Sequence, residues 1–96
     1  MDKFLLEQAE EFFQAVLTLQ TKEECERFFE DLCTMKELQD FSQRLEVAKL
    51  LKEKKNYREI SEATGASTAT ISRVNKCLLY GRGGYETVLS GREKEV

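Results

Sequence analysis

The chain has 96 residues, 15 basic and 18 acidic, with a net charge of −3 and no histidine, proline or tryptophan; this length suits one domain with one modest core. Its 41% hydrophobic content excludes a disordered chain, and its longest apolar run, Cys77-Leu78-Leu79-Tyr80, falls far short of the ~20 residues of a membrane span. The absence of histidine, of a nucleophile motif and of a phosphate-cradling glycine loop argues against an enzyme, and no cofactor or metal ion is expected.

The N-terminus, Met1-Asp2-Lys3-Phe4, has neither a basic n-region nor a long apolar stretch, which reads as a cytoplasmic chain. Leu5, Ala9, Phe12, Val16 and Leu19 recur at helical spacing, and Leu6, Phe13 and Leu17 widen the stripe. They predict one helix from Asp2 to about Leu19. Thr21-Lys22-Glu23-Glu24 has the form of a capping box, in which the threonine oxygen accepts a free N–H and Glu24 reaches back. It opens a second helix with Cys25, Phe28, Phe29 and Leu32 inward. The first stripe is wide for so short a chain. Either it is one wall of an ordinary bundle, or residues 1–33 are dimerisation helices that interlock with those of a second chain.

Thr34-Met35-Lys36-Glu37 repeats the box and opens a long central helix, residues 34–55. Leu38, Phe41, Leu45, Ala48 and Leu51 are its expected buried stripe, and it should end near Lys54 or Lys55, where cations meet the negative end of the helix dipole. Asn56 caps a short helix from Tyr57 to about Thr64, stopped by Gly65. Ser67 caps another, running to about Tyr80 and ending at Gly81. The run Gly81-Arg82-Gly83-Gly84 reads as a bend, after which Tyr85 to Leu89 forms a last short helix and residues 90–96 a frayed tail. The expected fold is all-α, with about six helices. Cys25, Cys33 and Cys77 match neither a disulfide framework nor zinc-ligand spacing, and are expected as packing residues in a reducing compartment.

Residues 57–80 carry the functional signal. Two short helices crossing at about a right angle need small residues at the crossing, a left-handed residue in the turn, and apolar anchors on both inner faces. Ile60, the small Ser61 and Ala63, Gly65, and then Ile71, Val74 and Leu78 satisfy these needs as a helix-turn-helix. The outward face of the second helix offers Thr68, Ala69, Ser72 and Lys76, small and polar residues beside a cation, as suits a helix lying in a major groove. An αα-corner without nucleic acid, or a helix-turn-helix reused as a protein-interaction module, is the alternative.

Charge distribution bears on this choice. Residues 1–43 hold 4 basic and 11 acidic residues, a net of −7, whereas residues 44–96 hold 11 basic and 7 acidic, a net of +4. Lys49, Lys52, Lys54, Lys55, Arg58, Arg73, Lys76 and Arg82 would then meet DNA while the acidic half faces away. Lys52, Lys54 and Lys55 suit phosphates.

Residues 33–89 resemble the core of the tryptophan repressor superfamily, and the length and motif order resemble its YerC/YecD-type branch. The shared pattern is Arg44, then Arg58-Glu59-Ile60, Gly65-Ala66, Ala69-Thr70-Ile71-Ser72-Arg73, and Tyr85-Glu86-Thr87-Val88-Leu89. The resemblance implies an intertwined all-α homodimer, a single domain over residues 1–96, with two reading heads one turn apart on a double-stranded DNA operator. It implies a transcriptional regulator, of repressor type, with Arg58, Thr68, Ala69 and Ser72 near base edges. It also implies an effector cleft in which Arg44 and Arg73 flank a small molecule, with Thr34 near its ammonium side. Val74 and Cys77 stand where the family has a glycine and a ligand-contacting serine. Tryptophan is therefore not the expected effector; either a small anion lies between the two arginines, or they pair with acids such as Glu46.

Overall fold

The computed structural model describes residues 2–94, and these contain seven α-helices and no strand. The chain divides into two compact units, Met1–Leu38 and Gln39–Val96.

In the first unit, α1 (Lys3–Gln8) is capped by Asp2, whose Oδ1 accepts the Leu5 N–H at 2.8 Å. The single helix expected over residues 2–19 is divided at Ala9 (φ −87°, ψ 0°), and α2 (Glu10–Leu17) begins afresh. Glu10 and Glu11 occupy its first turn, where carboxylates favour the positive end of a new helix dipole. The helix stops short of Leu19 because the Thr18 and Leu19 N–H groups tighten onto the carbonyls of Ala15 and Val16, three residues back. In α3 (Lys22–Leu32), Thr21 Oγ1 accepts the Glu24 N–H at 3.0 Å, as expected of the N-cap. The return bond differs from the expected box: Glu24 Oε1 accepts from Gln20 at 2.8 Å, one residue before the cap.

None of the described residues 2–38 is buried. Of the predicted stripes, Leu6, Ala9, Val16, Leu19, Phe28 and Phe29 are half-buried, whereas Leu17 is 77% and Leu32 50% exposed. Cys25, expected inward, is exposed. Phe12 of α2 stacks on Phe28 of α3 with ring centroids 6.4 Å apart, and Phe28 meets Phe29 edge-on at 5.3 Å.

The long helix α4 (Met35–Lys52) opens on a complete box: Glu37 N–H donates to Thr34 Oγ1 at 3.1 Å and Thr34 N–H donates to Glu37 Oε1 at 2.8 Å. It ends before the predicted Lys54 or Lys55. Lys54 adopts a left-handed conformation (φ 67°), its N–H donates to the Leu51 carbonyl, and the Lys55 N–H donates to the Leu50 carbonyl. This is a Schellman closure with lysine in the position usually held by glycine. That residue type hid the end of the helix.

In the second unit, α5 (Tyr57–Thr64), α6 (Thr68–Tyr80) and α7 (Gly84–Lys94) join the later part of α4. Their core is Val47, Ala48, Ile60, Ala66, Ile71 and Val74, all at most 2% exposed, with Leu50, Leu51, Leu78, Tyr85 and Leu89 packed around it. Of the predicted α4 stripe, Ala48 is fully buried and Leu38, Leu45 and Leu51 are half-buried. Phe41 is 45% exposed, and Val47, outside that stripe, is buried in its stead. The face of α4 that meets α5 and α6 is set by Val47 and Ala48. The last helix continues beyond the expected Leu89 to Lys94, so residues 90–94 are helical and only residues 95 and 96 of the expected tail lie outside the described part.

Candidate nucleic-acid interface

The helix-turn-helix forms from local signals backed by four core side chains. Asn56 caps α5 in a full box: its Oδ1 accepts the Glu59 N–H at 2.9 Å, and Glu59 Oε1 accepts the Asn56 N–H at 3.0 Å. Gly65 (φ 75°) ends the helix in the left-handed region, where a Cβ costs roughly 1–2 kcal/mol. Ser67 then caps α6, its Oγ accepting the Thr70 N–H at 3.1 Å. The turn is stitched from within: Ser61 Oγ donates to the Ala66 carbonyl, Thr64 Oγ1 donates to the Ile60 carbonyl, and the Ala66 N–H donates to Thr64 Oγ1. Gln43 of α4 donates to the Thr64 carbonyl at 3.2 Å, tying the turn to the long helix. Ile60, Ala66, Ile71 and Val74 fill the inner angle. Ser61 therefore acts as a hydrogen-bond donor as well as a small residue. Ala63, chosen for its size, is exposed.

With Ile71 and Val74 inward, Thr68, Ala69, Ser72 and Lys76 are all exposed on α6. Arg58 projects from α5 at 89% side-chain exposure, and its Nε donates to Glu62 Oε1 at 3.1 Å. Sequence reasoning missed this pair, although its i,i+4 spacing is a signal for it. Lys54 and Lys55 are exposed in the closure after α4. Lys52 is engaged instead: its Nζ lies 3.0 Å from Glu86 Oε1 on α7, and Ser90 Oγ donates to the same oxygen at 2.6 Å. These two bonds hold the Glu86 carboxyl below the usual carboxylate range, the Ser90 bond having the larger effect. No spacing in the sequence points to the pairing of Lys52 with Glu86, because it spans 34 residues and follows no helical period.

The Trp repressor protein family matches residues 7–93 of the chain. The chain belongs to the Trp repressor family. It is 50% identical over its whole length to the protein YerC of Bacillus subtilis, covering 91% of that protein. Among solved structures, it is similar to a TrpR-like protein from Eubacterium eligens, with 50% identity, a TM-score of 0.86, and 91% of this chain and 90% of that one covered. It is also similar to a candidate Trp repressor from Staphylococcus aureus, with 48% identity, a TM-score of 0.85, and coverage of 90% and 86%. The all-helical, TrpR-like fold expected from the sequence is the fold observed.

The residues that the family resemblance assigns to an effector cleft have unequal surroundings in this Trp repressor family chain. Arg73 and Cys77 line an open groove of about 370 Å³ with Lys76, Tyr80 and Gly81. Arg44 is half-buried and lies over the Phe41 ring, its guanidinium carbon 5.3 Å from the centroid, a cation–π contact. Thr34 belongs to the first unit, where it caps α4. Val74 is 1% exposed and packs in the core with Ile60 and Ile71, the place expected of it as an inner-face anchor of the helix-turn-helix. Cys77 is exposed and Cys33 half-buried, so neither is a fully buried packing residue. Among the described residues, no cluster suits a metal ion and no helix is long and apolar enough to cross a membrane.

Proposed function

We propose that this chain is a homodimeric, sequence-specific DNA-binding regulator of transcription that acts as a repressor. The observation that carries the reading is the outward face of α6: Thr68, Ala69, Ser72 and Lys76 are exposed on a helix whose other side is locked into the core by Ile71 and Val74. Small polar side chains let a helix enter a major groove closely, and they supply donors and acceptors for base edges. Arg58 stands on the neighbouring helix, and Lys54 and Lys55 provide cations for phosphates. Membership of the Trp repressor family supports the same assignment.

The dimer is supported by the first unit. Phe4, Leu5, Phe12, Phe13, Leu17 and Leu32 are all at least 39% exposed, and so many large apolar side chains left open by three short helices suit an interface. The domain then spans residues 1–96, with α1–α3 as dimerisation helices, α4 as the central helix and α5–α6 as the reading head.

The deciding experiment is retention on random and genomic duplex DNA across a salt series. Binding should weaken steeply with salt, and crosslinked DNA recovered from cells should share one two-fold symmetric motif. Absence of retention even at low salt would leave the helix-turn-helix as a protein-interaction module.

A further inference from the structure

Arg58 and Glu62 form an ion pair that folding does not need. Their side chains are 89% and 68% exposed, and exposed pairs contribute little to stability. The effect of the pair is geometric. Glu62 lies one turn nearer the C-terminus of α5, so the 3.1 Å bond from Arg58 Nε to Glu62 Oε1 draws the guanidinium along the helix toward the turn that leads into α6. A guanidinium is a planar fork of five donors. With Nε held by the carboxylate, the two terminal amines present their outer N–H groups as a parallel pair, which matches the N7 and O6 acceptors of guanine in the major groove.

Two further observations isolate this pair. Glu59, the other acid on α5 beside Arg58, is committed to the Asn56 capping box through both its carboxylate and its N–H. The backbone beneath the pair is fixed by buried Ile60 and by the Ser61 and Thr64 bonds across the turn. The direction of the guanidinium is therefore set by Glu62.

We infer that Glu62 is a positioning residue for base recognition, which holds Arg58 in the one orientation that reads a guanine in each half-site. It also contributes specificity by charge. A carboxylate beside the groove repels phosphate oxygens, which would otherwise draw the arginine into a sequence-independent contact. The inference rests on the DNA-binding reading above and extends it to a residue that touches no base.

The test is enrichment of duplexes from a random-sequence library by the full chain, followed by competition between the enriched site and the same site with its guanine replaced. Arg58→Ala should lower the guanine preference by at least about fivefold. Glu62→Ala should lower it at the same base pair by about two- to fivefold, the scale of an exposed ion pair. Affinity for random duplex should stay level or rise with Glu62→Ala, an outcome that loss of folding would not produce. Glu62→Gln, which keeps an acceptor for Nε but not the charge, should fall between. In the Arg58→Ala background, Glu62→Ala should have no further effect on the ratio. Unchanged preference in Glu62→Ala, or a change at a different base pair, would overturn the role of Glu62 alone. Failure of the unaltered chain to enrich any duplex would overturn the DNA-binding reading, and this inference with it.

Discussion

Lys52 Nζ and Glu86 Oε1 lie 3.0 Å apart, joining the last turn of α4 to the first turns of α7. Ser90, one turn further along α7, donates to the same carboxylate oxygen. The arrangement gives the C-terminal helix a polar anchor beside the apolar contacts of Tyr85 and Leu89 with the core. It also occupies a lysine that the sequence alone assigns to a phosphate.

Glu86 should make stability depend on acid pH. Its folded pKa is lowered, so the folded state binds its proton less readily than the unfolded chain does. The stabilisation is fully present above the ordinary glutamate value, about pH 4.3, and is lost as pH falls through the lowered folded value. Urea unfolding of the native chain and of Glu86→Gln should therefore differ at pH 6 and converge as the pH is taken down past the folded value. A constant difference across that range would show that the carboxylate charge is not what anchors α7.

Backbone conformation should decide the sign of two substitutions. Gly65 is left-handed with open space around its missing Cβ, so Gly65→Ala should cost roughly 1 kcal/mol from strain alone. Lys54 is left-handed without being glycine. Lys54→Gly removes a cost of about 1 kcal/mol but adds unfolded-chain entropy of 0.5–1 kcal/mol, roughly, leaving a net effect between zero and a slight gain. The same substitution deletes an exposed cation, and should lower the salt slope of DNA binding by about one per subunit. Urea midpoints and salt-titrated binding measure the two effects separately.

The exposed apolar side chains of α1, α2 and α3 should make thermal stability depend on concentration. For a dimer that folds on association, the melting temperature rises with protein concentration. Sedimentation should give twice the chain mass at micromolar concentration. Removal of residues 1–19 should leave an aggregating or unfolded remainder. A soluble, folded monomer after that truncation would sink the interlocked dimer.

Tryptophan should not act as the effector. Cys77 presents a thiol, a weak hydrogen-bond partner, where the family has a serine, and Arg44 is stacked on Phe41. Millimolar L-tryptophan should leave both the melting temperature and DNA affinity unchanged. Calorimetry with micromolar affinity would contradict this.

What the sequence determined by itself was local. Helix starts at Thr21, Thr34, Asn56 and Ser67 depend on contacts within three or four residues, and each of these side chains caps as its spacing predicts. Gly65 stops α5 because a left-handed residue is a property of a single position. The helix-turn-helix was legible because Ile60, Gly65, Ile71 and Val74 fall within one short segment, as was the all-helical family fold. Tertiary structure decided what depends on distance through space. Periodicity shows that a helix has an apolar face, but packing chooses the side chains that fill the core, and it took Val47 where the stripe of α4 predicted Phe41. The burial of Val47 among residues of α5 and α6, and the pairing of Lys52 with Glu86, arise where the later part of α4 meets the helices that follow it. Those contacts join residues far apart in the chain, whose spacing carries no period that a linear pattern can reveal.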